Sequence, residues 1–484
     1  MKLQETLLCG LGPLSGSGTG HLALHDLKTG TSLATHKQST SAVHNVAVVE
    51  SQNSQGGYIF SSQVDKPILN VYHFQKDQLA QRIVLPERIT CVASDSRGNY
   101  CAAGTANGRI YLWEVASGVM LNSWEAHFRR VHVLKFTADD AAIVSASDDS
   151  GVSVWSVASL IDNQLQHELP VPYCNLSDHT LPVLDIVCGS GLFPDCRLAT
   201  CSQDHSVKIW DLSSLSRPLL GIFTFPHPIQ MITMDHAQRV IFAASAVGHV
   251  HRINLFKPDE SHRGMEAATG DTSSSEAEIV VGQSITTLCV SYTSTYLLIG
   301  TASGSILIYD LESHQLLRSI ATHKDKGLAI IYLQCMLKPI DHDTKEKEPI
   351  PLRPVVPFQR MRDLKARETH QVMVMIPPRL EESKYGGTTN SDELFAGHAY
   401  FLNPSSQSRR AGSNSSARVA ELEEEVAQLR AALGQAKGIN DSMWETMVNT
   451  LLPKNNSAPN GSAGADYMAV DQSPAGRKRA RKAN

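Results

Sequence analysis

Short runs in which apolar residues alternate with small or polar ones recur along the first two-thirds of the chain, separated by turn residues. The clearest is Leu198–Asp211, LATCSQDHSVKIWD, in which Leu198–Ser202 and Val207–Trp210 flank a turn carrying Asp204. Period-two alternation over four to six residues predicts half-buried strands. Val183–Val187, just upstream, has the same character. Weaker copies stand in register. Thr6–Gly30 carries His25-Asp26 where Trp210-Asp211 stand in the best copy, and Tyr58–Ser62 with Ile68–Phe74 gives another. Cys101–Val115 ends on Trp113-Glu114, and Ile143–Val157 has Asp148 or Asp149 in its turn and Trp155 at its close. Val240–Leu255 lacks both the tryptophan and the turn acid, and Leu297–Leu311 ends on Tyr309-Asp310. The copies follow one another about every 41 to 56 residues.

A four-strand unit repeated at that spacing, closing on Trp-Asp, is the WD repeat, and the fold it predicts is a β-propeller. Seven copies predict an all-β, seven-bladed WD40 ring over residues 1–336, each blade built of strands a to d from the centre outward; an eighth blade from the C-terminal region is the alternative. The first copy has no room for a strand a before Thr6. Gly327–Cys335, GLAIIYLQC, is an alternating apolar run lying after the seventh copy. It is expected to supply the missing strand, which would remove an exposed sheet edge; the alternative is an extra strand outside the ring.

Within the best copy a buried polar chain is expected. His179, a hydroxyl from Thr200 or Ser202, Asp204 and the Trp210 indole N–H can satisfy one another, and a buried indole requires such a partner. These residues read as structural. Other histidines at blade boundaries (His127, His227, His323) read the same way. No phosphate loop, HExxH, nucleophile elbow or clustered metal ligands occur in the sequence. The expectation is therefore no enzyme, no cofactor and no metal.

Composition narrows the class further. Nine cysteines without a CxxC pair suit buried thiols in a reducing compartment. MKLQETLLCGLG is broken by Gln4 and Glu5, so it reads as blade rather than signal peptide, and no run reaches membrane-spanning length. A soluble intracellular chain is expected. A net charge of −5 gives no global attraction to nucleic acid. Locally, Arg477, Lys478, Arg479, Arg481 and Lys482 form a basic run that reads as a nuclear import signal, the alternative being a solubilising tail.

Lys257–Glu278 is Ser-, Gly- and Glu-rich and predicts a mobile loop. Residues 337–380 include a proline-spaced stretch, Pro349–Arg367, expected to lie extended on the ring. Its Arg353, Arg360, Arg362, Lys365 and Arg367 suit an rRNA or acidic partner, or a solvated face. Val372–Pro378 is one more strand-like run. Residues 381–416 read as a polar linker and 453–484 as a disordered tail. Between them, 417–452 predicts a helix. Val419, Leu422, Val426, Leu429 and Leu433 recur at alternating spacings of three and four, an a/d seam that calls for a partner face. A second copy, another protein or the ring itself are the options.

The order of these parts, together with YLWEVASG (Tyr111–Gly118), SQDHSVKIWDL (Ser202–Leu212) and VAELEEEVAQL (Val419–Leu429), resembles the WD-repeat protein 18 family, whose fungal members are pre-rRNA-processing WD-repeat proteins. The resemblance implies a non-enzymatic scaffold subunit of the nuclear Rix complex. That complex binds precursors of the large ribosomal subunit, supports removal of the second internal spacer from pre-rRNA, and works with an AAA-type remodelling ATPase. It further implies docking of the propeller on a helical-repeat scaffold subunit, self-pairing through the terminal helix, a nucleolar and nucleoplasmic location, and an association with chromatin. The longer polar C-terminus departs from the family pattern. Two other readings compete: a chromatin or replication-licensing adaptor, and a substrate receptor of a ubiquitin ligase. The second is disfavoured because such receptors often carry Arg two positions after Trp-Asp, where this chain has Ser213 and, after Tyr309-Asp310, Glu312.

Overall fold

The computed structural model describes residues 4–13, 19–51, 55–162, 168–216, 218–258, 265–267, 279–321, 327–338, 351–363 and 414–451. They form two compact units, divided between Arg379 and Leu380.

The first unit is a ring of seven four-stranded antiparallel sheets. Strands a are Ala329–Leu337, Val46–Val49, Ile89–Ser94, Val131–Phe136, Val183–Cys188, Ile229–Met234 and Ile285–Val290, for blades 1 to 7 in that order. Each blade from the second onward is a simple meander, so alternation within a strand decides which neighbouring blade each side chain meets. The apolar core is accordingly divided. One buried cluster fills each of the seven interfaces, for example Phe60, Tyr111 and Trp113 between blades 2 and 3, and Val154, Leu198 and Trp210 between blades 4 and 5.

Blade 1 is assembled from distant parts. Ala329–Leu337 pairs antiparallel with Glu5–Gly12, from Glu5 opposite Leu337 to Gly12 opposite Ala329. The run after the seventh copy thus completes the first blade as strand a. It also repeats the contacts that other inner strands make. Thr90 Oγ1 of blade 3 donates to Val131 O of blade 4 at 2.6 Å, and Thr286 Oγ1 of blade 7 donates to Ile330 O of blade 1 at 2.5 Å. Gly104 leaves space for Val131 where a Cβ would lie 2.8 Å from it, and Gly300 does the same for Ile330.

Two expectations need correction. The insertion within blade 6, between its strands c and d, is not loop throughout, because Phe256–Pro258 pairs with Met265–Ala267 as a two-stranded ribbon. His227 stands two residues before its strand a, whereas His127 and His179 stand four before theirs; Phe225 holds the matching place in blade 6 and is buried. His323, Val372–Pro378 and the basic run Arg477–Lys482 lie outside the described residues.

Among the described residues the second unit is represented by the helix Asn414–Leu451. No helix among the described residues is long and apolar enough to cross a membrane.

Candidate interaction surface

In blade 5 the polar chain runs from the loop before strand a to the blade centre. His179 Nδ1 lies 2.8 Å from Asp204 Oδ2, and His179 Nε2 lies 2.8 Å from Thr200 Oγ1. Trp210 Nε1 donates to the same Thr200 oxygen at 2.9 Å. Ser202 stands outside that line; its hydroxyl donates to Leu181 O at 2.9 Å and accepts from Asp204 N at 3.2 Å. Burial pushes the Asp204 carboxyl up, but donors from His179, Ser206 and the Thr180 N–H outweigh it and hold the group well below the usual carboxylate range.

Blade 4 repeats the arrangement with His127, Ser145, Asp149 and Trp155 at 2.8–3.2 Å. The choice between its two turn acids is resolved by geometry: Asp149 meets His127, while Asp148 pairs with His132 at 2.8 Å. Asp149 is held down at about 2, its burial overcome by His127 and by backbone donors. Replacing His179 with Ala is expected to cost about 1–3 kcal/mol, because a buried carboxylate and hydroxyl lose their partner. A denaturant midpoint unchanged from wild type would show the chain to be dispensable.

Blade 3 solves the same problem differently. Ala103 stands where Thr200 stands in blade 5, so the Trp113 indole has no hydroxyl in its own blade. Trp113 Nε1 instead donates to Gln359 O at 2.9 Å, across from the far end of the ring's sequence. Residues 351–363 form a strap over blades 2 and 3. Gly56 N donates to Pro351 O at 3.0 Å, Val356 N to Val115 O at 3.2 Å and Gln359 N to Gly118 O at 2.8 Å. Phe358 is buried, stacked on Trp113 at 5.2 Å between centroids and edge-on to Phe60. Arg353 is buried and donates to Arg97 O, so it is unavailable to a partner, whereas Arg360 is exposed. Lys365 and Arg367 lie outside the described residues.

The inner strands line a central channel. Asp185 crosses between blades, accepting from Ile232 N at 3.1 Å and lying 3.8 Å from Lys135 Nζ. His44 lines the same channel at φ +63°, where burial pulls its imidazole down to about 4 against the opposing pull of Asp185. The neutral form is therefore favoured in the fold. Stability is fully present above the unfolded value near 6.5 and is lost as pH falls from there toward 4, by up to about 3 kcal/mol. Asp95, raised to about 6 by burial, acts oppositely, its share being lost as pH rises from 3.8 to 6. The difference between wild type and His44→Asn isolates the histidine, since Asn tolerates positive φ. Their urea midpoints should converge between pH 7.5 and 4.5; parallel shifts would remove His44 from the account.

Among the described residues no group of three or more His, Cys, Asp or Glu is placed to hold a metal. The thiols of Cys9, Cys91 and Cys188 are each pushed up to about 12 by burial, which makes them poor nucleophiles. In the terminal helix, Val426, Leu429 and Leu433 are exposed, as are Met443 and Trp444. Val419 and Leu422 belong to the helix, and their side chains lie outside the described residues.

Comparison with known proteins agrees with this geometry. The family model described as "WD domain, G-beta repeat" matches residues 82–114, 118–156 and 171–211, from the outer strand of blade 2 to strand c of blade 5. The pre-rRNA-processing protein IPI3 of Mycosarcoma maydis is 30% identical over 86% of this chain and 90% of its own length. IPI3 of Yarrowia lipolytica is 29% identical over 87% of the chain and 95% of that protein. WD repeat-containing protein 18 of Danio rerio is 28% identical over 91% and 98%. Likeness on that scale takes in ring and tail together, and the chain belongs to the family of WD-repeat proteins that includes the pre-rRNA-processing protein IPI3 and WD repeat-containing protein 18.

Proposed function

We propose that the protein is a non-enzymatic scaffold in maturation of the large ribosomal subunit, acting in the nucleus on the pathway that removes the second internal spacer from pre-rRNA. The observation that supports this most is the near full-length kinship with proteins named for pre-rRNA processing. The geometry is compatible: conspicuous His–Asp pairs are spent inside blades on holding tryptophans rather than facing a substrate. In this reading the propeller docks on a helical-repeat subunit of a Rix-type complex, and an AAA-type ATPase remodels the particle that they bind. Tagged protein should co-purify with nuclear large-subunit precursors carrying the spacer; recovery with mature ribosomes alone would refute the role.

The terminal helix is proposed to pair two copies. Its apolar side chains at 426, 429 and 433 face water in the single chain, and a seam of this kind gains stability by burial in a coiled coil. Leu422→Asp with Leu429→Asp is expected to halve the mass measured by light scattering at micromolar concentration. An unaltered mass would assign the seam another role. The basic run Arg477–Lys482 is proposed as the import signal, and its deletion should leave the protein in the cytoplasm.

A further inference from the structure

The two complete histidine networks lie in neighbouring blades, and each fixes the loop that enters its own blade. In blade 4, Phe128 N donates to Asp149 Oδ2 at 3.0 Å, Ser147 Oγ donates to Arg129 O at 3.3 Å, and Asp148 N donates to Arg130 O at 3.0 Å. Blade 5 repeats the pattern at Thr180, Leu181 and Pro182, with distances of 3.2, 2.9 and 3.1 Å. Both loops therefore stand rigidly on the same rim, beside the turns between strands b and c.

What they hold outward is unlike an ordinary solvent loop. Phe128 is 98% exposed and Leu181 47% exposed. The Phe128 main chain is held by its N–H, and its ring stands almost wholly in solvent. Three acids of this rim are occupied: Asp149 by His127, Asp148 by His132 and Asp204 by His179. Arg129 and Arg130 are exposed, and among the described residues neither is paired with a carboxylate. An exposed aromatic ring next in sequence to two uncompensated guanidinium groups has the composition of an interface hot spot.

We propose that the loops Phe128–Arg130 and Thr180–Leu181 form a docking surface for a protein segment presenting an apolar pocket flanked by carboxylates. The pocket takes Phe128, Leu181 adds apolar contact beside it, and the carboxylates meet Arg129 and Arg130. The proposal rests on the scaffold reading and says where the scaffold grips a partner. A protein fits better than RNA because the exposed apolar Phe128 and Leu181 call for an apolar pocket, and the chain carries a net charge of −5. That net charge gives a long polyanion no overall attraction.

The test places p-benzoylphenylalanine at position 128 of the full-length tagged chain in its own cells, followed by irradiation and sequencing of the adduct. The expected adduct is a carboxylate-rich segment of another protein. A synthetic fluorescent copy of that segment should bind the wild-type chain, and bind at least tenfold more weakly to Phe128→Ala and to Arg129→Glu with Arg130→Glu. The charge-reversal effect should shrink at high salt. Melting temperatures should match wild type, since the pins involve main chain at these positions. An adduct on RNA, an adduct on a second copy of this chain, no adduct, or equal binding by the variants would overturn the proposal. Co-purified large-subunit precursors are scored in the same cells. Their absence with the adduct retained refutes the scaffold role alone; their presence without the adduct refutes the surface alone.

Discussion

Replacing Ile330 with Asp in the intact chain is expected to abolish the folded ring. Ile330 is fully buried on the strand that closes blade 1, its backbone carbonyl accepts from Thr286, and its side chain fills the space left by Gly300. A carboxylate there loses the apolar transfer and faces burial without a cation. Losses of this kind run to several kcal/mol, against a total stability of about 5–15 kcal/mol for a typical domain. The consequence is not confined to one blade. Without Ala329–Leu337, strand Glu5–Gly12 becomes a bare edge and blade 7 loses its neighbour. Ile330→Val, which keeps the apolar character, should cost only about 1 kcal/mol. Size-exclusion elution and thermal melting separate the outcomes: aggregated or unfolded Asp variant, folded Val variant. A folded Asp variant with unchanged melting temperature would mean that the ring does not depend on this closure.

Phe358→Ala is expected to release the strap. Truncating a buried Phe costs about 3–5 kcal/mol where the surroundings cannot collapse. Here the loss includes the stack on Trp113 and the edge contact with Phe60. Part of it will be relieved by local peeling of residues 351–363, which would leave the Trp113 N–H without its Gln359 acceptor. Hydrogen exchange distinguishes this from global loss. Protection at Gly56, Val356 and Gln359, all of which donate across the strap contact, should fall first, while strands in blades 4 and 5 keep theirs. Tryptophan fluorescence should shift as Trp113 meets water. Equal protection in both proteins would show that the strap is held elsewhere.

The ring was legible because its signals are local and repeated. Alternation marked the strands, and small residues on strand b followed by a turn marked each blade even where Trp and Asp were absent, as in Val240–Leu255. The closing strand was legible too, since an unfinished first blade and an apolar run after the seventh implied one another. The strap's seat was not. Residues 351–363 have no period of their own, and their conformation is set by the groove they fill. One signal did point there: Ala103 in place of a hydroxyl leaves the Trp113 indole needing an acceptor from outside its blade. The Phe128 loop escaped for a different reason. Phe128 stands in a loop between blades, where no hydrophobic period marks which side chain faces solvent. At the terminal helix, heptad spacing identified the seam, but spacing is silent on what covers it.

The pairing of Glu5–Gly12 with Ala329–Leu337 also sets a clock on the ribosome that makes this chain. Some 300 residues separate the two strands, and translation at about 5–20 residues per second takes roughly 15–60 s to cross them. For that interval the nascent protein is an open arc with one unpaired edge. Every premature stop before Ala329 therefore yields a longer or shorter arc, never a smaller ring, and such products meet cellular quality control as exposed β edges.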